Sequence, residues 1–231
     1  MDITVFNDIE ELKKYFGFTK SGTILETDIF KEENETDVNS RQVRDAEVLT
    51  TIAKNMDGNC LEIGTSSGRG TFKLATNTNG IVYTVNALPE QISGNFVTHA
   101  MKKEQIGSYL LQKGIRNYVQ IYENSMSWKL PSEFLNSMNV VFIDGCHDTE
   151  FVYRDSYNTW DSLKNGGFMI WHDFNPDLRG RFDWINSAMK GVEGFQKMFR
   201  KDLPDGALQV FHLKHSFMGF MRMAGGWRNI E

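Results

Sequence analysis

The sequence predicts one α/β domain built on a mostly parallel sheet, finished by an antiparallel hairpin and preceded by helices. Three observations carry this expectation. Short apolar runs alternate with amphipathic stretches from residue 60 onward, the order that strand-helix-strand units require. A turn of small residues, Gly64-Thr65-Ser66-Ser67-Gly68-Arg69-Gly70, follows the first apolar run directly. The chain closes on two strand-like runs, 208–213 and 217–221, separated by hairpin spacing.

Size and charge agree with a single domain. At 231 residues and 40% hydrophobic content the chain can bury a sizeable core without a second domain. A formal charge of -5 gives no basic field for a polyphosphate, so nucleic acid is not an expected partner. Residues 1–5 lack a basic run leading into an apolar one, and nowhere does an apolar stretch approach the ~20 residues of a membrane span. A cytoplasmic protein with no membrane partner is expected. Cys60 and Cys146 are too few for a disulfide framework and are read as reduced thiols.

Residues 1–57 read as a helical cap: helix, loop, helix. Ile9, Leu12, Tyr15 and Phe16 recur at helical spacing, as do Val43, Val48, Leu49 and Ile52. These apolar helices leave room for a homodimer. Between them 31–37 is acidic and poor in apolar residues, the composition of a solvated loop or flap. Residues 58–231 read as the sheet domain, with strands at 60–63, 81–85, 118–122, 140–143 and 167–171. Helices are expected to start near Gly68, Lys103, Pro131 and Thr149. The last places Val152, Ser156, Trp160 and Leu163 on one face and meets a stop signal at Asn165-Gly166-Gly167. A further helix over 181–199 precedes the hairpin. This is a Rossmann-like arrangement, with its ligand crevice at the carboxyl edge of the sheet.

The glycine turn narrows the ligand. Its spacing is G-x-x-x-G-x-G, with Ser66 and Arg69 where a dinucleotide fold places its second and third glycines, and it lacks the Lys-Ser/Thr of a phosphate loop. A carboxylate at Glu62, just before the turn, would repel pyrophosphate but suits a ligand with a cationic end, such as S-adenosylmethionine (SAM). At the end of the next strand, where an acid would hold ribose hydroxyls, stands Asn86. Its amide accepts on one side only, which predicts weaker cofactor binding, with Glu90 as a substitute. Asn124 and Ser125, after the 118–122 strand, fall where an adenine would be framed.

Ionisable residues close the next two strands. One ends in Asp144-Gly145-Cys146-His147 and the other in His172-Asp173, so all four side chains should surround one crevice. Asp144 and Asp173 are hard oxygen donors suited to magnesium. A ligand at His172 would turn the preference toward manganese, iron or zinc. His147, with an ordinary pKa of about 6.5, can take a hydroxyl proton near neutral pH.

These residues together resemble class I SAM-dependent methyltransferases, in particular macrocin-type sugar O-methyltransferases and, more distantly, catechol O-methyltransferase. The likeness runs from about Asn59 to Asp173. The resemblance implies that Glu62, Gly64, Ser66 and Gly68 bind the methionine part of SAM. It implies that Asp144 and Asp173 hold a divalent metal, with Asp144 also bordering the cofactor, and that His147 is the base. The expected reaction is methyl transfer to a hydroxyl of a small molecule. The residues that select the acceptor are expected in the N-terminal segment and the 174–181 loop, where Trp171, Phe174 and Arg179 either line the pocket or serve packing. Two alternatives stand beside it: a non-heme iron oxygenase using His147, His172 and Asp173, and a SAM-binding protein without catalysis.

Overall fold

A computed structural model describes residues 1–25, 38–92, 101–199 and 208–223, with the side chains of 38–42 and 199 left aside. The acidic 31–37 segment lies outside the described residues. Along the chain come β1 (Ile3–Phe6), α1 (Ile9–Phe16), α2 (Val38–Met56), β2 (Cys60–Ile63), α3 (Arg69–Ala75) and β3 (Val82–Val85). They are followed by α4 (Ser108–Gln112), β4 (Tyr118–Ile121), β5 (Met138–Ile143), α5 (Thr149–Trp160), β6 (Leu163–Trp171), α6 (Asp183–Phe199), β7 (Val210–Leu213) and β8 (Gly219–Arg222).

The strands form one eight-stranded sheet in the order β1-β7-β8-β6-β5-β2-β3-β4. Only β8 runs antiparallel, to β6 on one side and β7 on the other. Strand order reverses where β2 lies between β3 and β5, so the topological switch point falls between β2 and β5. Alternation along the strands feeds two cores. Leu61, Ile63, Val141, Ile143, Met169 and Trp171 face α5 and α6, meeting Val152, Trp160, Ile185 and Phe195. Cys60, Val140, Phe142, Phe168 and Ile170 face Leu12, Val48, Leu49, Ile52 and Leu74 of α1, α2 and α3. The apolar faces of α1 and α2 are thus used inside the chain.

Local chemistry sets the element ends. Asp8 caps α1 by accepting from the backbone N–H groups of Glu10 and Glu11 at 3.0 and 2.9 Å, and Gly17 ends the helix at φ +70. Four sequence expectations need correction. The first six residues are not merely a lead into a helix: β1 pairs in parallel with β7, Ile3 opposite Val210 through Phe6 opposite Leu213. The Pro131 region forms only a 3₁₀ turn over Ser132–Phe134, and α4 begins at Ser108 rather than near Lys103. Finally, α5 stops at Trp160, and Leu163 already belongs to β6, opposite Met138. The register shifts there from Met138↔Leu163 to Val140↔Phe168, so Asn165-Gly166-Gly167 is a bulge inside a strand, with Gly166 at φ +80.

Cys60 is buried and its thiol pushed up to about 12 by burial; neither it nor Cys146 is in a disulfide. Among the described residues no helix is long and apolar enough to cross a membrane.

Candidate active site

The switch point gathers the carboxyl ends of β2, β3, β4, β5 and β6. At the end of β2, Gly64 adopts φ +103, and a Cβ there would lie 2.0 Å from the Asp144 carbonyl oxygen. A side chain is therefore excluded by backbone on both counts, and the ends of β2 and β5 meet closely because of it. The backbone N–H of Ser66 donates to Asn86 Oδ1 at 3.0 Å, and Asn86 Nδ2 donates to the Ala87 carbonyl at 2.8 Å. This pairing gives an amide a purpose at position 86: a carboxylate could accept from Ser66 but could not donate to Ala87. Gly68 caps α3, the helix that leaves the turn.

Glu62 lies beneath the turn and is fully buried. Its Oε2 accepts from the Thr71 hydroxyl and, at 2.6 Å, from Thr84. Burial pushes the carboxyl up to about 8, against the pull of the two hydroxyls. Near neutral pH it is protonated, a polar floor rather than a fixed anion. On the β4 side, Asn124 Oδ1 accepts from Met126 N–H at 3.0 Å and Asn124 Nδ2 donates to the Gln91 carbonyl at 3.0 Å. The Ser125 carbonyl accepts from Asn158 Nδ2 at 3.1 Å. Both residues shape the loop that closes the crevice.

Beyond β5 and β6 the expected ionisable groups converge. His172 Nδ1 lies 3.3 Å from Asp144 Oδ1 and 3.2 Å from Asp173 Oδ2. His147 Nδ1 lies 2.5 Å from the same Asp173 oxygen. Burial pushes Asp144 up to about 6 although 30% of its side chain stays exposed, with His172 acting against the rise. For Asp173 burial also opposes charge, but His172 and the bond from His147 outweigh it and hold the carboxyl far below the usual range. His147 is raised first by its bond to Asp173. In His172 burial disfavours the cation, yet Asp144 and Asp173 prevail and its pKa rises.

Asp144, His172 and Asp173 offer one ligand atom each within 4.8 Å of one another. Two carboxylates and one imidazole at that separation fit a divalent ion. The two-histidine, one-carboxylate arrangement would need His147 as a ligand, whereas the ligand atoms that cluster among the described residues come from two carboxylates and one histidine. A cavity of about 210 Å³ opens beside this cluster, walled by Leu49, Phe142 and Met218 and by Arg69 and Lys73 of α3. One residue on its wall escaped sequence reasoning. Asp45 of α2 is 5% exposed and its Oδ2 lies 3.4 Å from His172 Nε2. The signal that would have found it is an acid on the apolar stripe of α2, in step with Val48, Leu49 and Ile52.

Residues 61–174 match the family described as "Methyltransferase domain". Solved structures share the fold at low identity. The O-methyltransferase NovP is 11% identical, with a TM-score of 0.56 over 77% of this chain and 79% of its own. The O-methyltransferase TomG from Streptomyces achromogenes, involved in tomaymycin synthesis and solved with SAM, is 14% identical, with a TM-score of 0.54 over 93% of this chain and 96% of its own. The N-methyltransferase NodS from Bradyrhizobium japonicum WM9 is 13% identical, with a TM-score of 0.54 over 81% and 99%. Residues 61–174 are a methyltransferase domain, on a fold shared with SAM-dependent methyltransferases. No curated protein matches it.

Of the two regions expected to select the acceptor, the N-terminal segment lines the cavity, through Ile24, Val43 and Leu49, and Trp171, Phe174 and Arg179 serve packing instead. Trp171 and Phe174 are 1% and 0% exposed. Trp171 Nε1 donates to Ser156 Oγ at 2.8 Å, and the Phe174 ring packs so closely on Gly219 that a Cβ there would meet it at 2.4 Å. Arg179 is spent on Glu193, at 2.6 Å. Helices α5 and α6 cover the Trp171 ring, through Ser156 and Phe195, and the hairpin covers Phe174.

Proposed function

We propose that this methyltransferase moves the methyl group of SAM to a hydroxyl of a small molecule, assisted by a divalent ion at Asp144, His172 and Asp173 and by His147 as base. The convergence of those four side chains at the switch point, beside the glycine turn, carries the reading. Bound SAM supplies an electrophilic methyl, and a bound divalent ion supplies Lewis acidity that makes a hydroxyl easier to deprotonate. The chain's own residues do the rest. Gly64, Ser66 and Gly68 shape the turn for the methionine portion, above the neutral Glu62 floor; Asn86 fixes that turn, and Asn124 with Ser125 frames the adenine side. The Asp173 carboxylate holds His147 through Nδ1, leaving the other ring nitrogen to receive the acceptor's proton, and its negative charge stabilises the imidazolium so formed. The apolar walls of the cavity exclude water and position the acceptor.

The test follows formation of S-adenosylhomocysteine from SAM across a panel of hydroxylated small molecules. Chelated protein should lose turnover and regain it with magnesium or manganese. His147→Ala should bind S-adenosylhomocysteine as the parent does, while turnover falls by about 10²–10⁴. Turnover indifferent to chelation would remove the ion from the reading, and turnover indifferent to His147→Ala would remove the base. Tight cofactor binding without turnover on any hydroxyl, with methylation of amines instead, would redirect the chemistry to nitrogen.

A further inference from the structure

We propose that Asp45, on helix α2, is a positioning residue that presents Nδ1 of His172 to the metal. The inference rests on reading Asp144, His172 and Asp173 as a metal site. Three observations carry it. The two ring nitrogens of His172 have different neighbours: Nδ1 lies 3.3 Å from Asp144 Oδ1 and 3.2 Å from Asp173 Oδ2, while Nε2 lies 3.4 Å from Asp45 Oδ2. That Asp45 oxygen is shielded from solvent and has no hydrogen-bond partner among the described residues, which leaves it able to accept from a protonated Nε2. The other oxygen, Oδ1, accepts from the backbone N–H of Phe217 at 2.5 Å, which fixes the carboxylate between α2 and the loop joining β7 to β8.

The chemistry follows from valence. An imidazole that ligates through Nδ1 carries no proton there, so its proton resides on Nε2 and needs an acceptor. The rest of the ring's setting offers apolar surface: the Phe142 ring stands edge-on with centroids 6.5 Å apart, and the Phe217 ring lies at 6.3 Å. Asp45 is the acceptor, and accepting there also makes Nδ1 a better donor to the ion. The N-terminal segment therefore contributes to the metal centre through a carboxylate that touches no ligand atom of the ion.

A merely structural role for Asp45, holding Phe217, is separable by one substitution. Asp45→Asn can keep its oxygen on the Phe217 N–H, and then turns an NH₂ donor toward the protonated Nε2. Manganese affinity of the full chain, measured by electron paramagnetic resonance of the free ion, is compared among the parent, Asp45→Asn and Asp144→Asn. Thermal stability is recorded on the same proteins, and the ¹⁵N resonances of His172 on samples loaded with diamagnetic zinc. The expected result is an affinity about 10–100-fold lower in Asp45→Asn, with the metal-free melting temperature close to the parent's. In the loaded parent His172 should carry its proton on Nε2, and in Asp45→Asn that signature should be lost. Equal affinities and the same His172 resonances in parent and Asp45→Asn would overturn the inference while leaving the metal reading intact. A parent that binds no manganese, or binding that survives Asp144→Asn, would overturn the metal reading and the role of Asp45 with it.

Discussion

Glu62 carries a carboxyl to a place without water, where the hydroxyls of Thr71 and Thr84 are its hydrogen-bond partners. Its folded pKa of about 8 lies above the ordinary 4.5, so the folded chain holds a proton that the unfolded chain has released. Stability contributed by the neutral form is complete at acid pH and is lost as pH rises from the ordinary carboxylate value through about 8, by roughly a few kcal/mol in all. Glu62→Gln is neutral at every pH. Denaturant unfolding of metal-free protein should therefore find the variant close to the parent at pH 5 and more stable at pH 9; a difference that does not vary with pH would refute a buried neutral Glu62. At this scale the sequence was legible where chemistry sits at a strand end. Asp144, His147, His172 and Asp173 could be placed together because each closes an apolar run. Which way Glu62 faces could not be read, since its partners lie 9 and 22 residues downstream. Asp45 was hidden because one acid on a helix reads the same whether it faces solvent or core.

The element scale turns on where strands of the switch point meet. Five strands, β2 to β6, were readable as apolar runs within a few residues of their true ends, while the end of α5 was not. There the Ser162 carbonyl accepts from the backbone N–H groups of Ser137 and Met138, at 2.9 and 2.8 Å, and draws the chain into the sheet one helical turn before the glycines. Helical periodicity continues through Leu163 although the helix does not, because the same side chain serves either a helix face or a strand face. The glycine turn is the most constrained junction. Gly64→Ala faces both an unfavourable φ of +103 and a backbone oxygen 2.0 Å from the new Cβ, and backbone cannot rotate away as a side chain can. The loss should exceed about 3 kcal/mol, seen as a lower denaturant midpoint together with weaker S-adenosylhomocysteine binding, since the ends of β2 and β5 must part. A variant of parental stability would mean that the two strand ends are not held as closely as described.

At the scale of the whole molecule, alternation of strand and helix made the parallel sheet and its terminal hairpin legible, but not the strand that closes its far edge. β1 has four residues and pairs with β7 about two hundred positions away in sequence, Ile3 against Val210, so no local signal links them. Its contribution is nonetheless global. Every residue of β7 is buried, and Phe6 stacks on Phe211 and Phe220 with centroids 5.7 and 6.3 Å apart. Arg44, next to Asp45 on α2, donates to the carbonyls of Asn7 and Lys214 at 3.1 and 3.3 Å, tying the ends of β1 and β7 to the helix that reaches the active site. Removing residues 1–6 should strip these contacts and leave β7 as an unpaired apolar edge, a template for pairing with another chain. Loss of the Phe6 side chain alone should cost about 3–5 kcal/mol. The truncated protein should therefore melt well below the parent, and light scattering should rise with protein concentration. A truncated chain that stays monodisperse with the parent's melting temperature would show that the sheet is already complete at β7, and that β1 adds cover without adding structure.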